Sequence, residues 1–435
     1  MRLNRRHLLA LPLALLARPA LAADRQGVER DMVITWYRLV LELVRHTATY
    51  SPPVAARAFA YIGLAAHEAL ASGDPALRSL AGQVTGLTPA PARQAGAHDA
   101  ACVLQAVLEA SARNFFANTG PTGQRAMAKL GEALGKQAMA GIAEEIARRS
   151  IAHGQAVAAH IHALSLTDGG AVIDNMGFPR DYTPGTNPMD WVPTSQVRQQ
   201  QAPLLPEWGQ NRPFAMPAGD TCTLPPPPAY SEAPTSPLYL AAMEVYETVN
   251  TLTDEQRLIA RFWSDDPMLS STPPGHWIAI AIELADQRAM PASEIAPMMA
   301  VLGVAMADAF IGCWAVKFQY NTLRPVTYIR RHIDPKWEPL LTTPPFPEYP
   351  SGHSTVSAAA AIALTAVFGA GFAFDDPTHA DEDLPIRRFA SFAEAAEDAA
   401  MSRLYGGIHF RFGNEGGTAL GRCIGAYAAA LQTKA

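Results

Sequence analysis

The sequence predicts an all-α protein, and three observations carry that prediction. Apolar residues recur at helical spacing through most of the chain. The composition is rich in Ala and Leu, 49% hydrophobic, with few of the β-branched runs that read as strands. The one long stretch without periodicity, residues 166–235, is dense in Pro, Gly and Asn and includes Pro225-Pro226-Pro227-Pro228. At 435 residues the chain is long enough to bury a large core and to form more than one domain.

Taken in order, residues 1–22 read as an export signal. Arg2, Arg5 and Arg6 form a basic start, residues 8–17 an apolar run, and Ala20-Leu21-Ala22 a cleavage site. The Arg5-Arg6 pair resembles a twin-arginine signal; an ordinary signal with an accidental pair is the alternative. Helices are then predicted over about 30–50, 52–73, 97–114, 120–149 and 151–165, an N-terminal half spanning 25–165. Residues 166–235 form an extended, polyproline-like connection that wraps the helices or shapes an entrance. Further helices are predicted over about 236–250, 253–265, 275–289, 292–320, 353–368, 387–404 and 414–432, a C-terminal half spanning 236–435, with ends set to within about 2–4 residues. The two halves are expected to share one packed unit. Residues 358–374 are uncharged but Ala/Gly-rich and short of the ~20 apolar residues a membrane span needs. Residues 298–316 are interrupted by Asp308. Both read as core helices, with Asp308 a hydrogen-bonded core group, so an integral membrane protein is not expected.

Charge and cysteines narrow the function classes. The formal charge is −6, and removing residues 1–22, with four Arg and no acid, takes it to −10. Neither nucleic acid nor an anionic membrane surface is an expected partner. Cys102, Cys222, Cys313 and Cys423 lack zinc-site spacing, and disulfide pairing is not legible in them.

Three short segments in the last third carry the chemistry. Lys317 stands seven residues before Arg324-Pro325, about two helical turns, so a continued helix would bring both cations to one face. Pro325 biases Arg324 away from helical dihedrals and ends that helix. Pro350-Ser351-Gly352-His353 precedes an apolar run. That places Ser351 and Gly352 at a helix N-terminus, where free N–H groups favour an anion, and His353 where it can exchange a proton. Ser402-Arg403 closes another helix, and Gly406-Gly407 turns the chain so as to re-aim His409, an imidazole able to bond to a central phosphorus or vanadium. Each segment alone also reads blandly: a solvated basic helix end, a capping serine beside a surface histidine, a structural histidine. In this order they assemble an oxyanion pocket. His276, after Pro274-Gly275, reads as a helix-start histidine.

The three segments resemble the signature of the superfamily that joins vanadium-dependent haloperoxidases with type 2 phosphatidic acid phosphatases and class A acid phosphatases. The chain is most similar to the haloperoxidase branch through Pro344-Pro345-Phe346-Pro347 ahead of Glu348-Tyr349-Pro350-Ser351-Gly352-His353. Trp314 before Lys317, Phe262-Trp263-Ser264-Asp265-Asp266 with Thr272-Pro273-Pro274, and Ser51-Pro52-Pro53 add to the likeness. The resemblance implies helical bundles, two four-helix-bundle-like halves, and vanadate bonded to His409, a site that phosphate could also occupy. Lys317, Arg324, Ser351, Gly352 and Arg403 would hold its oxygens. His353 would be the acid/base, Asp266 would hydrogen-bond near it, and Trp314 and Phe346 would line the halide pocket. Hydrogen peroxide, a halide and a small organic acceptor are the implied partners. Relatives usually carry Asp four residues after the ligand histidine; here that position is Gly413. An exported acid phosphatase with His409 as nucleophile and His353 as general acid, and a non-catalytic oxyanion-binding protein, are the alternatives.

Overall fold

The structure is a computed structural model that describes residues 25–435, so the expected export signal lies outside the described residues. It is helical with little strand. In chain order the helices are α1 (Arg25–His46), α2 (Pro52–Ala71), α3 (Ala100–Phe115), α4 (Pro121–Met139), α5 (Glu144–Ser165), α6 (Pro237–Asn250), α7 (Asp254–Phe262), α8 (Thr272–Gln287), α9 (Ala292–Tyr320), α10 (Pro325–His332) and α11 (Gly352–Phe368). A two-stranded antiparallel hairpin, β1 (Phe374–Asp376) with β2 (Arg387–Phe389), precedes α12 (Phe392–Tyr405) and α13 (Arg411–Ala429).

The core is organised around α9, which packs on α2 on one side and on α11 and α13 on the other. Small residues set that closeness. A Cβ at Gly63 would lie 2.7 Å from the Met299 carbonyl, and one at Gly303 2.7 Å from the Ala60 Cα, so α2 and α9 meet backbone to backbone. The most apolar window of α9 is long enough to cross a membrane, but 94% of it is buried inside the protein. Asp308 sits in this helix with no exposure, accepting from the N–H groups of Phe214 (2.7 Å), Ala215 (2.8 Å) and Met216 (2.9 Å). A polar residue on an apolar helix thereby ties down the irregular segment.

That segment, 166–235, has only three single 3₁₀ turns. Backbone bonds run from Trp191 N–H to Asn321 O (2.7 Å) and from Leu204 N–H to Pro345 O (2.9 Å). Trp191 and Trp208 are buried, and a disulfide joins Cys222 to Cys423 on α13.

Several sequence expectations are corrected. The helix expected over 120–149 stops at Met139, because Gly141 takes a positive φ (+77°) and starts α5 in a new direction. The helix expected from 387 begins at Phe392; Arg387 to Phe389 pair instead with β1. Pro325 does more than follow a helix end. It occupies the first turn of α10, a short helix the sequence reading missed, where a missing N–H costs nothing.

Candidate active site

Lys317 comes from the last turn of α9, which ends at Asn321 in the left-handed region (φ +46°), a conformation asparagine tolerates. The helix does not continue to Arg324, contrary to the two-turn expectation; Arg324 is extended (φ −83°, ψ 154°) at the start of α10. The two cations still converge, because the turn folds Arg324 back under the 344–350 loop. Arg324 Nε donates to Phe346 O (2.8 Å) and Nη1 to Ile408 O (2.8 Å), with the same Nη1 3.0 Å from His409 Nε2.

Ser351 caps α11, its Oγ accepting from Ser354 N–H (3.3 Å) and Ser354 Oγ (2.9 Å). Gly352 and His353 open that helix, so no preceding turn supplies a carbonyl to their N–H groups, and the dipole points its positive end into the pocket. Arg403 lies in the last turn of α12. Gly407 (φ +74°) reverses the chain, and His409 follows just ahead of α13.

The hydrogen bonds define the state of His409. A guanidinium only donates, so Nε2 facing Arg324 carries the lone pair and Nδ1 carries the hydrogen, donated to Glu348 Oε1 at 2.7 Å. Burial, then the charges of Arg324 and Lys317, hold His409 well below the ordinary imidazole value and keep the ring neutral. A neutral imidazole with its lone pair aimed into a cationic pocket is a ligand or a nucleophile in waiting. Around it, Arg324 Nη2 and Arg403 Nε and Nη2 are buried donors with no hydrogen-bond partner. Burial brings Arg324 down to about 9 and Arg403 to about 10. Buried unsatisfied donors are rare in proteins, and donors of this charge and planarity fit a tetrahedral oxyanion.

Lys317 is placed differently from expectation. Its Nζ donates to the carbonyls of Pro347 (2.8 Å), Glu348 (2.8 Å) and Pro350, which occupies all three hydrogens. It pins the 347–350 loop and contributes charge, and a direct oxyanion contact requires one of those carbonyls to yield. Burial lowers its pKa to about 7.

His353 faces the same pocket. Arg403 Nη1 donates to its Nδ1 (2.9 Å), which leaves the ring hydrogen on Nε2, 3.2 Å from Asp265 Oδ2. The partner carboxylate is therefore Asp265, not Asp266 as the sequence reading had it. Asp265 adopts a left-handed φ of +47°, which turns its side chain inward and leaves the next carboxylate half-buried on the cavity wall near Arg403. The cavity above the histidines measures about 430 Å³ and is bounded on one side by Trp314 and Phe346, whose ring centroids are 5.0 Å apart. Arg324 Cζ lies 4.9 Å over the Phe346 ring. Met176, Phe178 and Leu204 of the irregular segment shape the entrance.

A family model for the VCPO second helical-bundle domain matches residues 297–435, which contain all three segments. The crystal structure of the first bacterial vanadium-dependent iodoperoxidase superposes with a TM-score of 0.85 and 35% identity, covering 93% of this chain and 97% of that one. The chain belongs to the vanadium-dependent haloperoxidase family. A holo-type bacterial vanadium-dependent chloroperoxidase shares the fold at a TM-score of 0.70 and 17% identity, over 89% of this chain and 93% of that one. The vanadium chloroperoxidase of Curvularia inaequalis is 27% identical over an alignment that takes in 35% of each chain, about a third of that relative's length.

Within the haloperoxidase family, the Gly413 departure acquires a physical explanation. A Cβ at Gly413 would collide with Glu348 Oε1 and lie 2.7 Å from Glu348 Cδ. The carboxylate behind His409 is present, but it arrives from the 344–350 loop instead of from α13. Glu348 is fully buried and also accepts from Phe410 N–H (3.1 Å). Burial pushes it up to about 7, against the pull of Lys317 and Arg324. The sequence reading missed Glu348. The signal was available in the pairing of an acid just before Pro350-Ser351-Gly352-His353 with a glycine at the usual acid position.

Proposed function

We propose that this chain is an exported vanadate-dependent haloperoxidase that uses hydrogen peroxide to oxidise a halide, which consumes a proton and yields hypohalous acid and water, with a small organic acceptor as final target. The carrying observation is the Nε2 lone pair of His409, held by Arg324 Nη1 at 3.0 Å, beside the unpartnered buried donors Arg324 Nη2 and Arg403 Nε and Nη2. Vanadate fits that donor set: His409 Nε2 would bond to the metal, and Arg324, Arg403, Ser351 and the Gly352 N–H would hold its oxygens. When bound it would supply Lewis-acid polarisation of peroxide. The chain's own residues do the remaining work. Glu348 holds the His409 hydrogen on Nδ1, so Nε2 keeps its lone pair, which the metal would take over from Arg324 Nη1. Burial and the nearby Arg403 bring His353 down to about 4, so above that pH its Nδ1 carries a lone pair that can take a proton leaving peroxide once Arg403 Nη1, now 2.9 Å away, turns to the bound oxyanion. The three cations stabilise negative charge developing in the pocket. Trp314 and Phe346 provide a weakly hydrated wall suited to a large, polarisable halide. The Cys222–Cys423 disulfide supports an oxidising compartment and hence export.

One observation favours a second reading. Glu348 supplies the carboxylate that a phosphohistidine route needs behind its nucleophile, which removes the objection raised by Gly413 to an acid phosphatase. Against it, His353 is neutral above about pH 4 and a poor general acid there. The test is side-by-side turnover: apo-protein loaded with orthovanadate and given iodide or bromide, peroxide and a phenolic dye, against unloaded protein given p-nitrophenyl phosphate. Peroxide-dependent halogenation that needs vanadate and is lost in His409→Ala supports the proposal. Rapid, vanadate-inhibited phosphate release without halogenation replaces it with the phosphatase, and oxyanion binding with neither activity leaves a binding protein.

A further inference from the structure

Behind His353 runs a buried chain of ionisable groups that the chemistry above does not use. Both oxygens of Asp265 lie 3.1 Å from Nδ1 of His276, and Nε2 of His276 lies 2.9 Å from Asp376 Oδ2. His276 and Asp376 have no exposure and Asp265 has 2%. Each nitrogen of His276 faces a carboxylate, so each carries a hydrogen and the ring is an imidazolium. Its face stacks on Trp263, with centroids 4.3 Å apart, an arrangement that favours a cation. Asp376 is held in turn by Thr378, through N–H (3.0 Å) and Oγ1 (2.6 Å), at the end of β1. The small hairpin is thus the element that delivers this carboxylate. His276 is more than the helix-start residue its sequence context suggested.

We propose that His276 and Asp376 are a positioning pair for His353, locking Asp265 as an anion on the Nε2–H of that ring. The inference rests on the reading of His353 as the group that handles the proton. A buried carboxylate without a counter-charge protonates or turns away. Asp265 depends on His276 for a hydrogen-bonded cation, since Arg403 spends Nη1 on His353 and acts on Asp265 through its charge alone, and no lysine or arginine donates to the Asp265 carboxylate among the described residues. With the imidazolium in place, Asp265 stays ionised, His353 keeps its hydrogen on Nε2, and the lone pair stays on Nδ1 toward Arg403 and the cavity. The remaining ionisable neighbours are Asp266, whose carboxylate opposes that of Asp265, and His379, which is 3.4 Å from Asp265 Oδ1 through Nε2 and 3.4 Å from Glu382 through Nδ1. The ligand atoms of Asp265, His276 and His379 lie within 4.8 Å of one another, so a divalent metal is the competing occupant.

The experiment is nitrogen NMR of the full chain labelled in its histidines, with metal analysis of the same sample. Expected in wild type is one ring with both nitrogens protonated from pH 6 to pH 9, lost in His276→Gln, and a His353 signature of the Nε2–H tautomer. Asp376→Asn should move the His353 signals toward a tautomer mixture and lower kcat about 10- to 100-fold, while vanadate affinity changes less than about twofold; Asp376→Glu should recover part of the loss. A neutral His276 at pH 8, His353 signals unmoved in Asp376→Asn, or one equivalent of a divalent metal that His379→Ala removes, would each overturn the proposal. If wild type turns over no halide, the haloperoxidase reading fails, yet the nitrogen signals still decide whether the pair fixes His353.

Discussion

Replacing Glu348 tests whether a carboxylate from one loop can stand in for a missing one on a helix. Glu348→Gln keeps the shape and leaves an amide oxygen to accept from His409 Nδ1, but it removes the charge from a bond of 2.7 Å. Charge-assisted bonds are about twice as strong as neutral ones, and loss of such a partner behind a ligand histidine costs about 10- to 100-fold in affinity. Vanadate binding, measured by calorimetry on apo-protein, should weaken by that factor, about 1.4–2.8 kcal/mol. Glu348→Ala also strands the His409 Nδ1–H and Phe410 N–H without acceptors, at about 1–3 kcal/mol each, so urea unfolding should show a loss of about 2–6 kcal/mol. The decisive arm is Gly413. In wild type, Gly413→Ala forces a Cβ into the Glu348 carboxylate and should destabilise by about 1–3 kcal/mol while weakening vanadate. In the Glu348→Ala background the same change should be harmless, and Gly413→Asp should restore affinity to within about threefold of wild type, a strongly non-additive cycle. Equal penalties for Gly413→Asp in both backgrounds, or unchanged vanadate affinity in Glu348→Gln, would refute the exchange of roles.

Further outcomes follow from the same structure. Orthovanadate at 100 times its Kd should stabilise apo-protein by about 2.7 kcal/mol, seen as a rise in Tm; Arg403→Ala should abolish most of that rise, and an undiminished rise would place the anion elsewhere. His276 is lowered by burial but raised more by Asp265 and Asp376, to about 10 from 6.5. Its folded form therefore binds the proton more tightly, so the stability it contributes is full below pH 6.5 and is lost as pH rises through 10. Unfolding free energies between pH 6 and pH 10 should decline on this account, and His276→Gln should flatten the decline. Reducing Cys222–Cys423, which are 201 residues apart, should cost up to about 5 kcal/mol by loop entropy, read as a shift in the urea midpoint with and without reductant. Asp308→Ala leaves the buried N–H groups of Phe214 and Met216 and the part-buried one of Ala215 unpaired and should destabilise by about 2–6 kcal/mol, with release of residues 214–216 visible as faster amide exchange.

How much was legible in the sequence varies with the range of the force involved. Helical periodicity is local, so the all-α class and most helix positions were readable. Capping and turn chemistry are local too, which is why Ser351 at a helix start and Gly406-Gly407 as a turn were placed correctly. The two strands were not readable, because three-residue strands carry almost no pattern of their own and exist through their pairing. Asp265 and Asp266 are adjacent acids with the same composition signal. Only the left-handed φ at Asp265 decides which of them turns toward His353.

By itself the sequence determined the helical class and the three segments that meet at the candidate site, with their order, because those depend on residue type and short spacing. Tertiary structure alone decided that Glu348 replaces the acid absent at Gly413, and that Lys317 spends its hydrogens on a loop. It alone also set His276 between two carboxylates, 11 and 100 residues away. These are electrostatic and steric choices among groups distant in the chain. They are made only when burial strips away water and each buried charge must find its partner from whatever the fold has brought within about 3 Å.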